Sequence, residues 1–250
     1  MNVLQSSPFS NIPPVVKNLL IINIIFFIAT AIFESKGISL VTMLGVYYFD
    51  SPNFKVWQMI TYMFMHGGFT HILFNMFALF TFGSSLESIM GSKRFLNFYL
   101  ITGLGALGLQ FLVQAIELYS ITGYITNHGS FIIDAASRRI SYDELLYTQK
   151  QASTILQTYV GPMVGASGAI FGLLIAFGML FPNAELYIMF IPVPVKAKYI
   201  IPVYVVLELF LGVAQFAGDS IAHFAHLGGA LFGFILVKIW HLNRPRNFYE

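Results

Sequence analysis

Three stretches of the chain place groups capable of acyl-transfer chemistry among residues that are otherwise almost wholly apolar. The first runs His66-Gly67-Gly68-Phe69-Thr70-His71 and continues to Asn75; the second is Gly165-Ala166-Ser167-Gly168; the third is His223-Phe224-Ala225-His226-Leu227-Gly228-Gly229. A serine hydroxyl is a weak nucleophile until a base takes its proton, and an imidazole within about 2.6–3.2 Å can serve as that base. An amide or a second imidazole can donate to the oxyanion that develops on the carbonyl under attack. His71 and Asn75, four apart, share one helix face. A charged group at the centre of a bilayer costs about 2.5–3.5 kcal/mol on insertion scales, so ionisable residues in such stretches have a partner or a task.

The elements that must position these groups are membrane spans. Of 250 residues, 57% are hydrophobic and 10% charged, with a net charge of +2; soluble domains carry about 25% charged residues. This composition excludes an ordinary cytosolic enzyme and a disordered chain. No basic stripe exists to neutralise phosphates, which excludes a nucleic-acid binder. With no cysteine there is no disulfide scaffold and no thiolate metal site. Six segments reach or approach the roughly 20 apolar residues that a crossing helix needs: 15–33, 69–89, 95–116, 161–181, 199–217 and 222–240. Barrel strands would alternate instead. The expected organisation is an N-terminal segment 1–14, one all-α domain over 15–241 with outer loops 34–68 and 117–160, and a tail 242–250. A polar stretch, 134–151, is expected to form a surface helix. Pro182, Pro192, Pro194 and Pro202 punctuate the link between the fourth and fifth spans.

Orientation follows Lys and Arg. Lys17, Lys93, Arg94, Lys196, Lys198, Lys238, Arg244 and Arg246 fall on one side, against Lys36, Lys55, Arg138, Arg139 and Lys150 in longer loops on the other. Both termini therefore read as cytoplasmic. A cleavable signal peptide ending at Ala29-Thr30-Ala31 is disfavoured, because the first sixteen residues hold no Lys or Arg. In this topology the second, fourth and sixth spans all enter from the outer side. Ser167 is then expected about six residues into its helix, or roughly 9 Å deep, with His71, Asn75 and His226 in the same layer. Gly165, Gly168 and Gly172 line the fourth span, and Gly229 and Gly233 line the sixth, so that helix backbones can approach closely.

Each signal has a plainer reading. Small residues around Ser167 are mostly packing devices, and Ala169 breaks the G-x-S-x-G elbow. His71 and Asn75 could simply bond two helices together. His223 and His226 fit a metal pair, which would want a third ligand; no H-E-x-x-H is present. Asp50 and Asp219 fall in loops, which disfavours a paired-aspartate protease. Glu208, midway along the fifth span, reads as a protonated or hydrogen-bonded carboxyl facing the bundle in preference to a relay. Glu87 is expected to pair with Lys93 or Arg94, while His128 and His241 are expected to be solvated.

Together these residues resemble the rhomboid family of intramembrane serine proteases. The matching pieces are His66-x-x-x-x-His71-x-x-x-Asn75, Gly165-Ala166-Ser167-Gly168 and Ala225-His226-Leu227-Gly228-Gly229-x-x-x-Gly233, with Trp57, Glu87 and Gly91-Ser92 in support. The resemblance runs from Trp57 to Gly233. One departure is Gln58, where the family has Arg, which bears on the anchoring of the first outer loop.

The resemblance implies a six-transmembrane-helix bundle with Ser167 as nucleophile and His226 as general base, in a dyad without an acid. His226 is preferred to His223 because it alone precedes x-x-Gly-x-x-x-Gly. Asn75, His71 and the Ser167 backbone N–H would form the oxyanion hole. His66, Gly165, Gly168 and Gly229 would support the cavity, and His66, Thr70 and Gln215 would wet its rim. Phe216, in the link 216–221, would act with the fifth helix as lid and gate. No cofactor and no metal are expected. The implied partners are transmembrane protein substrates and the lipid bilayer, with a bacterial plasma membrane as the default location. The rivals are a catalytically silent relative that binds membrane clients, and a small transporter whose polar residues would spread through the membrane depth.

Overall fold

The computed structural model describes residues 12–129, 131–134, 137, 139–187, 193–214 and 222–243. Seven helices carry the argument: α1 (Pro14–Glu34), α2 (Phe69–Met90), α3 (Ser92–Thr122), α4 (Gln149–Val160), α5 (Ser167–Leu180), α6 (Ala197–Ala214) and α7 (His223–Ile239). Of these, α1, α2, α3 and α6 are long and apolar enough to cross a membrane, while α5 and α7 are apolar but shorter, at 14 and 17 residues. Large apolar side chains cover the outer faces, among them Ile25 on α1 and Val203, Val206 and Val213 on α6. Lipid is the solvent that such faces fit.

The core is a three-helix contact of α3, α5 and α7 made through small residues. A Cβ on Gly168 would stand 2.5 Å from Cβ of Ala106, and one on Gly172 2.6 Å from Thr102. A Cβ on Gly229 would overlap the carbonyl oxygen of Gly168. The backbones of α5 and α7 are therefore nearly in contact, which is the packing that small residues permit in a bilayer.

Several expectations are corrected. The fourth segment is not helical from residue 161: residues 161–166 precede the helix, tied to the first loop by a bridge between Val46 and Met163. Pro162 and Gly165 (φ +132°) stop the helix from starting earlier. Ser167 is thus the first residue of α5, not six residues along it. Glu87 does not pair with Lys93 or Arg94 in the described contacts. Its buried carboxylate accepts the backbone N–H groups of Val15 (3.0 Å) and Val16 (2.8 Å) and the hydroxyl of Ser92 (2.7 Å). The first turn of a helix leaves such donors unpaired, and an anion at that end suits its dipole.

Among the described residues of the stretch 134–151, none is helical before Gln149. Strands β1 (Phe131–Asp134) and β2 (Arg139–Tyr142) pair antiparallel, and α4 begins only at Gln149, behind a Thr148–Gln151 capping box. Alternation of Phe131 and Ile133, and of Ile140 and Tyr142, is the period-two signal that a helix reading overrides wrongly. This cap has its own small core of Tyr48, Leu118, Phe131, Tyr147, Ile155 and Tyr159. Asp50 ties it to the first loop, accepting from the Tyr159 hydroxyl (2.8 Å) and the Asn127 N–H (2.7 Å).

Within that loop Gln58 is buried. Its Oε1 accepts from Lys55 N–H at 2.9 Å and its amide donates to the Asn53 carbonyl at 3.1 Å, so the departure from Arg still leaves an anchor. His128 is exposed, as expected, with its ring against Tyr124 and its Nε2 3.1 Å from the Thr126 hydroxyl.

Candidate active site

Ser167 owes its place to the extended segment before it. The Gly165 N–H donates to the Tyr62 carbonyl at 2.9 Å, and the Tyr62 hydroxyl donates to the Gly103 carbonyl at 2.8 Å, so the approach to α5 is pinned to both the first loop and α3. A side chain at Gly165 would lie 2.8 Å from His71 Nε2 and 3.4 Å from Ser167 Oγ. Glycine is needed there twice over, for its positive φ and for the space.

His226 sits in the first turn of α7, across the Gly168–Gly229 contact. Its Nε2 is 2.8 Å from Ser167 Oγ and its Nδ1 is 2.9 Å from Glu208 Oε2. With a carboxylate at Nδ1, that nitrogen carries the proton and donates, which leaves Nε2 to accept from the serine hydroxyl. Phe171, one turn along α5 from Ser167, stacks on the imidazole with ring centroids 4.3 Å apart and planes 7° apart. The ring is fixed in plane by stacking and in rotation by Glu208.

His71 and Asn75 come from α2. The Gly67 N–H donates to His71 Nδ1 at 3.4 Å, a long bond that makes Nδ1 the acceptor and Nε2, beside Gly165, the protonated nitrogen. Asn75 is buried, and its Nδ2 has no hydrogen-bond partner among the described residues. An orphaned buried amide costs about 1–3 kcal/mol, so its persistence fits a donor kept for something else. His66, just before α2, stands edge-on behind His71 at 5.0 Å between ring centroids. Burial, with His71 adding to it, pushes its imidazole down to about 4, so His66 is neutral at physiological pH.

The structure therefore brings Ser167, His226, His71, Gly165, Gly168 and Gly229 together, with Asn75 one turn along α2 from His71 and His66 behind it. Phe216, Gln215 and the link 216–221 lie outside the described residues. Three residues of the site go unassigned in the sequence reading. Phe171 had no polar signal. The motif spacing favours His226 over His223, yet the Nδ1 of His223 lies 2.6 Å from the Glu208 oxygen that His226 also meets. Glu208 is a hydrogen-bonded, bundle-facing carboxyl as expected, but its partners are these two histidines, and its one visible signal was a carboxylate at mid-span. The ligand atoms of Glu208, His223 and His226 lie within 4.8 Å of one another, a spacing a metal's ligands can show. Here both imidazoles bond to a single carboxylate oxygen, and one of them also meets the serine.

Comparison with known proteins identifies the family of the chain. The family model for the rhomboid domain matches residues 53–243. The chain is 29% identical over 181 residues to "Rhomboid protein 1, mitochondrial" of Saccharomyces cerevisiae, covering 72% of this chain and 40% of the relative. It is 28% identical over 216 residues to "Presenilin-associated rhomboid-like protein, mitochondrial" of Mus musculus, covering 78% and 45%. It is also 28% identical over 198 residues to "Putative rhomboid protease YdcA" of Bacillus subtilis, covering 78% and 73%. The match thus spans less than half of either mitochondrial relative. With the domain matched over well more than half its length, and with apolar helices fit to cross a bilayer, this membrane protein belongs to the rhomboid family.

Proposed function

We propose that the chain is an intramembrane serine endopeptidase that hydrolyses peptide bonds in or near the transmembrane segments of other membrane proteins. The observation that carries this is the 2.8 Å contact of Ser167 Oγ with His226 Nε2, on an imidazole whose other nitrogen is already occupied. In the reaction His226 takes the hydroxyl proton as Oγ attacks the scissile carbonyl, and then returns it to the leaving amine. Asn75 Nδ2, His71 Nε2 and the Ser167 N–H at the open end of α5 are the donors for the oxyanion. One donor of this kind is typically worth about 2.7–4 kcal/mol. Water then repeats the sequence on the acyl-enzyme, with His226 again as base.

On this reading the domain is a six-span bundle over 15–241, with both termini cytoplasmic and the site opening to the outer side. Its substrates are single-span proteins in a shared bilayer, a bacterial plasma membrane being the default. An intact helix hides its carbonyls, so substrates with Gly or Pro in the span should open more readily. The test is reconstitution in liposomes with single-span reporters that differ only in having Gly-Pro or Leu-Leu mid-span. Cleavage of the Gly-Pro reporter, absent with Ser167→Ala, is expected. No cleavage of any reporter, together with stable co-purification of one, would favour the client-binding alternative.

A further inference from the structure

We propose that Glu208 is a positioning residue that turns the Ser167–His226 pair into a nucleophile–base–acid triad, with His223 holding the acid in place. The inference rests on the serine-protease reading and adds to it a group from a different helix. Glu208 Oε2 accepts from His226 Nδ1 at 2.9 Å, and His226 Nε2 meets Ser167 Oγ at 2.8 Å, so carboxylate, imidazole and hydroxyl form one continuous line.

A carboxylate at this position serves the chemistry in two ways. Taking the serine proton makes His226 cationic in a site where both His226 and Glu208 are largely shielded from solvent. An unpaired cation there is expensive, and a fixed carboxylate at Nδ1 offsets that expense where the charge develops. The carboxylate also holds the ring in the one tautomer that leaves Nε2 free to accept.

His223 gives the arrangement its rigidity. Its Nδ1 lies 2.6 Å from the same oxygen, so Oε2 is gripped by two donors three residues apart on α7. Gly212, one turn beyond Glu208, lets α6 close against His223 and Phe224, where a Cβ would stand 3.1 Å and 3.3 Å away. A purely structural tie between α6 and α7 would need one histidine, and it would have no reason to use the nitrogen opposite the nucleophile. Among the described residues, Tyr204, one turn earlier on α6, and His71 from α2 also face this cluster.

The experiment uses the full chain in detergent and a fluorescent fluorophosphonate probe, measuring the maximal labelling rate kinact and the probe constant KI separately. In triads of known type, loss of the acid costs about 10⁴-fold in turnover. Glu208→Gln, which keeps size and one acceptor, is expected to lower kinact about 10²-fold or more, with KI within about twofold and thermal unfolding near wild type. Glu208→Asp, one methylene short of Nδ1, should fall between the two. A wild-type kinact in either Glu208 variant, while Ser167→Ala is unlabelled, would overturn the triad and leave the Ser–His reading standing. Labelling that survives in Ser167→Ala would remove the serine reading and the triad with it.

Discussion

Gly233→Ala tests whether the α5–α7 contact sets the reacting distance. Gly233 lies on the same face of α7 as Gly229, two turns beyond His226, and faces the backbone of Gly172, which follows Ser167 on α5. An alanine methyl would stand 2.6 Å from the Gly172 carbonyl oxygen and 2.7 Å from its Cα. Neither neighbour is a side-chain tip that can swing aside, so the helices must part. Reaching the 3.4 Å of ordinary contact from 2.6 Å needs an opening of about 0.8 Å. Transmitted to the site, even two thirds of that stretches the 2.8 Å Ser167–His226 bond to about 3.3 Å, past the useful range. A misplacement of about 1 Å can cost roughly 10²-fold in rate, and overpacking costs about 1–3 kcal/mol in stability. Fluorophosphonate labelling should therefore slow about ten- to a hundredfold, with a lowered unfolding temperature. Gly108→Ala is the control, since nothing stands within 4 Å of a Cβ there. Wild-type labelling by a folded Gly233→Ala variant would refute the claim that this contact sets the geometry.

Three further outcomes follow from the same contacts. Asn75→Ala removes the orphaned amide and should lower kinact about 10²- to 10³-fold with little change in stability; a rate within about twofold of wild type would take Asn75 out of the oxyanion hole. Glu87→Ala strands the Val15 and Val16 N–H groups, and should cost about 1.5–3 kcal/mol by thermal unfolding while labelling in the cold stays intact. Burial depresses His66 from about 6.5 to about 4, so its neutral form is the one that fits. Its contribution is complete above about pH 6.5 and fades as pH falls toward 4, by about 3 kcal/mol at most. Unfolding temperature measured across that window should fall in wild type and flatten in His66→Gln; parallel curves would contradict the assignment.

The nucleophile, base and oxyanion candidates were legible because each is polar in an apolar run, and the glycines beside Ser167 and His226 marked the contact face. What the sequence left open depends on rotation and long-range pairing. Glu208 is apparent as a mid-span carboxylate, but α6 is apolar almost all round and does not declare which neighbour it faces. Glu87 was matched with basic residues nearby in sequence, whereas its partners are N–H groups 71 and 72 residues away. The start of α5 was misread because Pro162 and Gly165 sit inside an unbroken apolar stretch, where small residues also suit a helix. The β1–β2 hairpin carries its alternation over only four residues a strand, within a polar stretch that resembles a helix.

Activation of Ser167 by His226 is read out by covalent labelling of the purified chain with a fluorescent fluorophosphonate, the adduct being mapped by peptide mass spectrometry. One adduct is expected, on Ser167, lost in both Ser167→Ala and His226→Ala. Wild-type protein that stays unlabelled beside an active relative, or an adduct carried on any other residue, would contradict it.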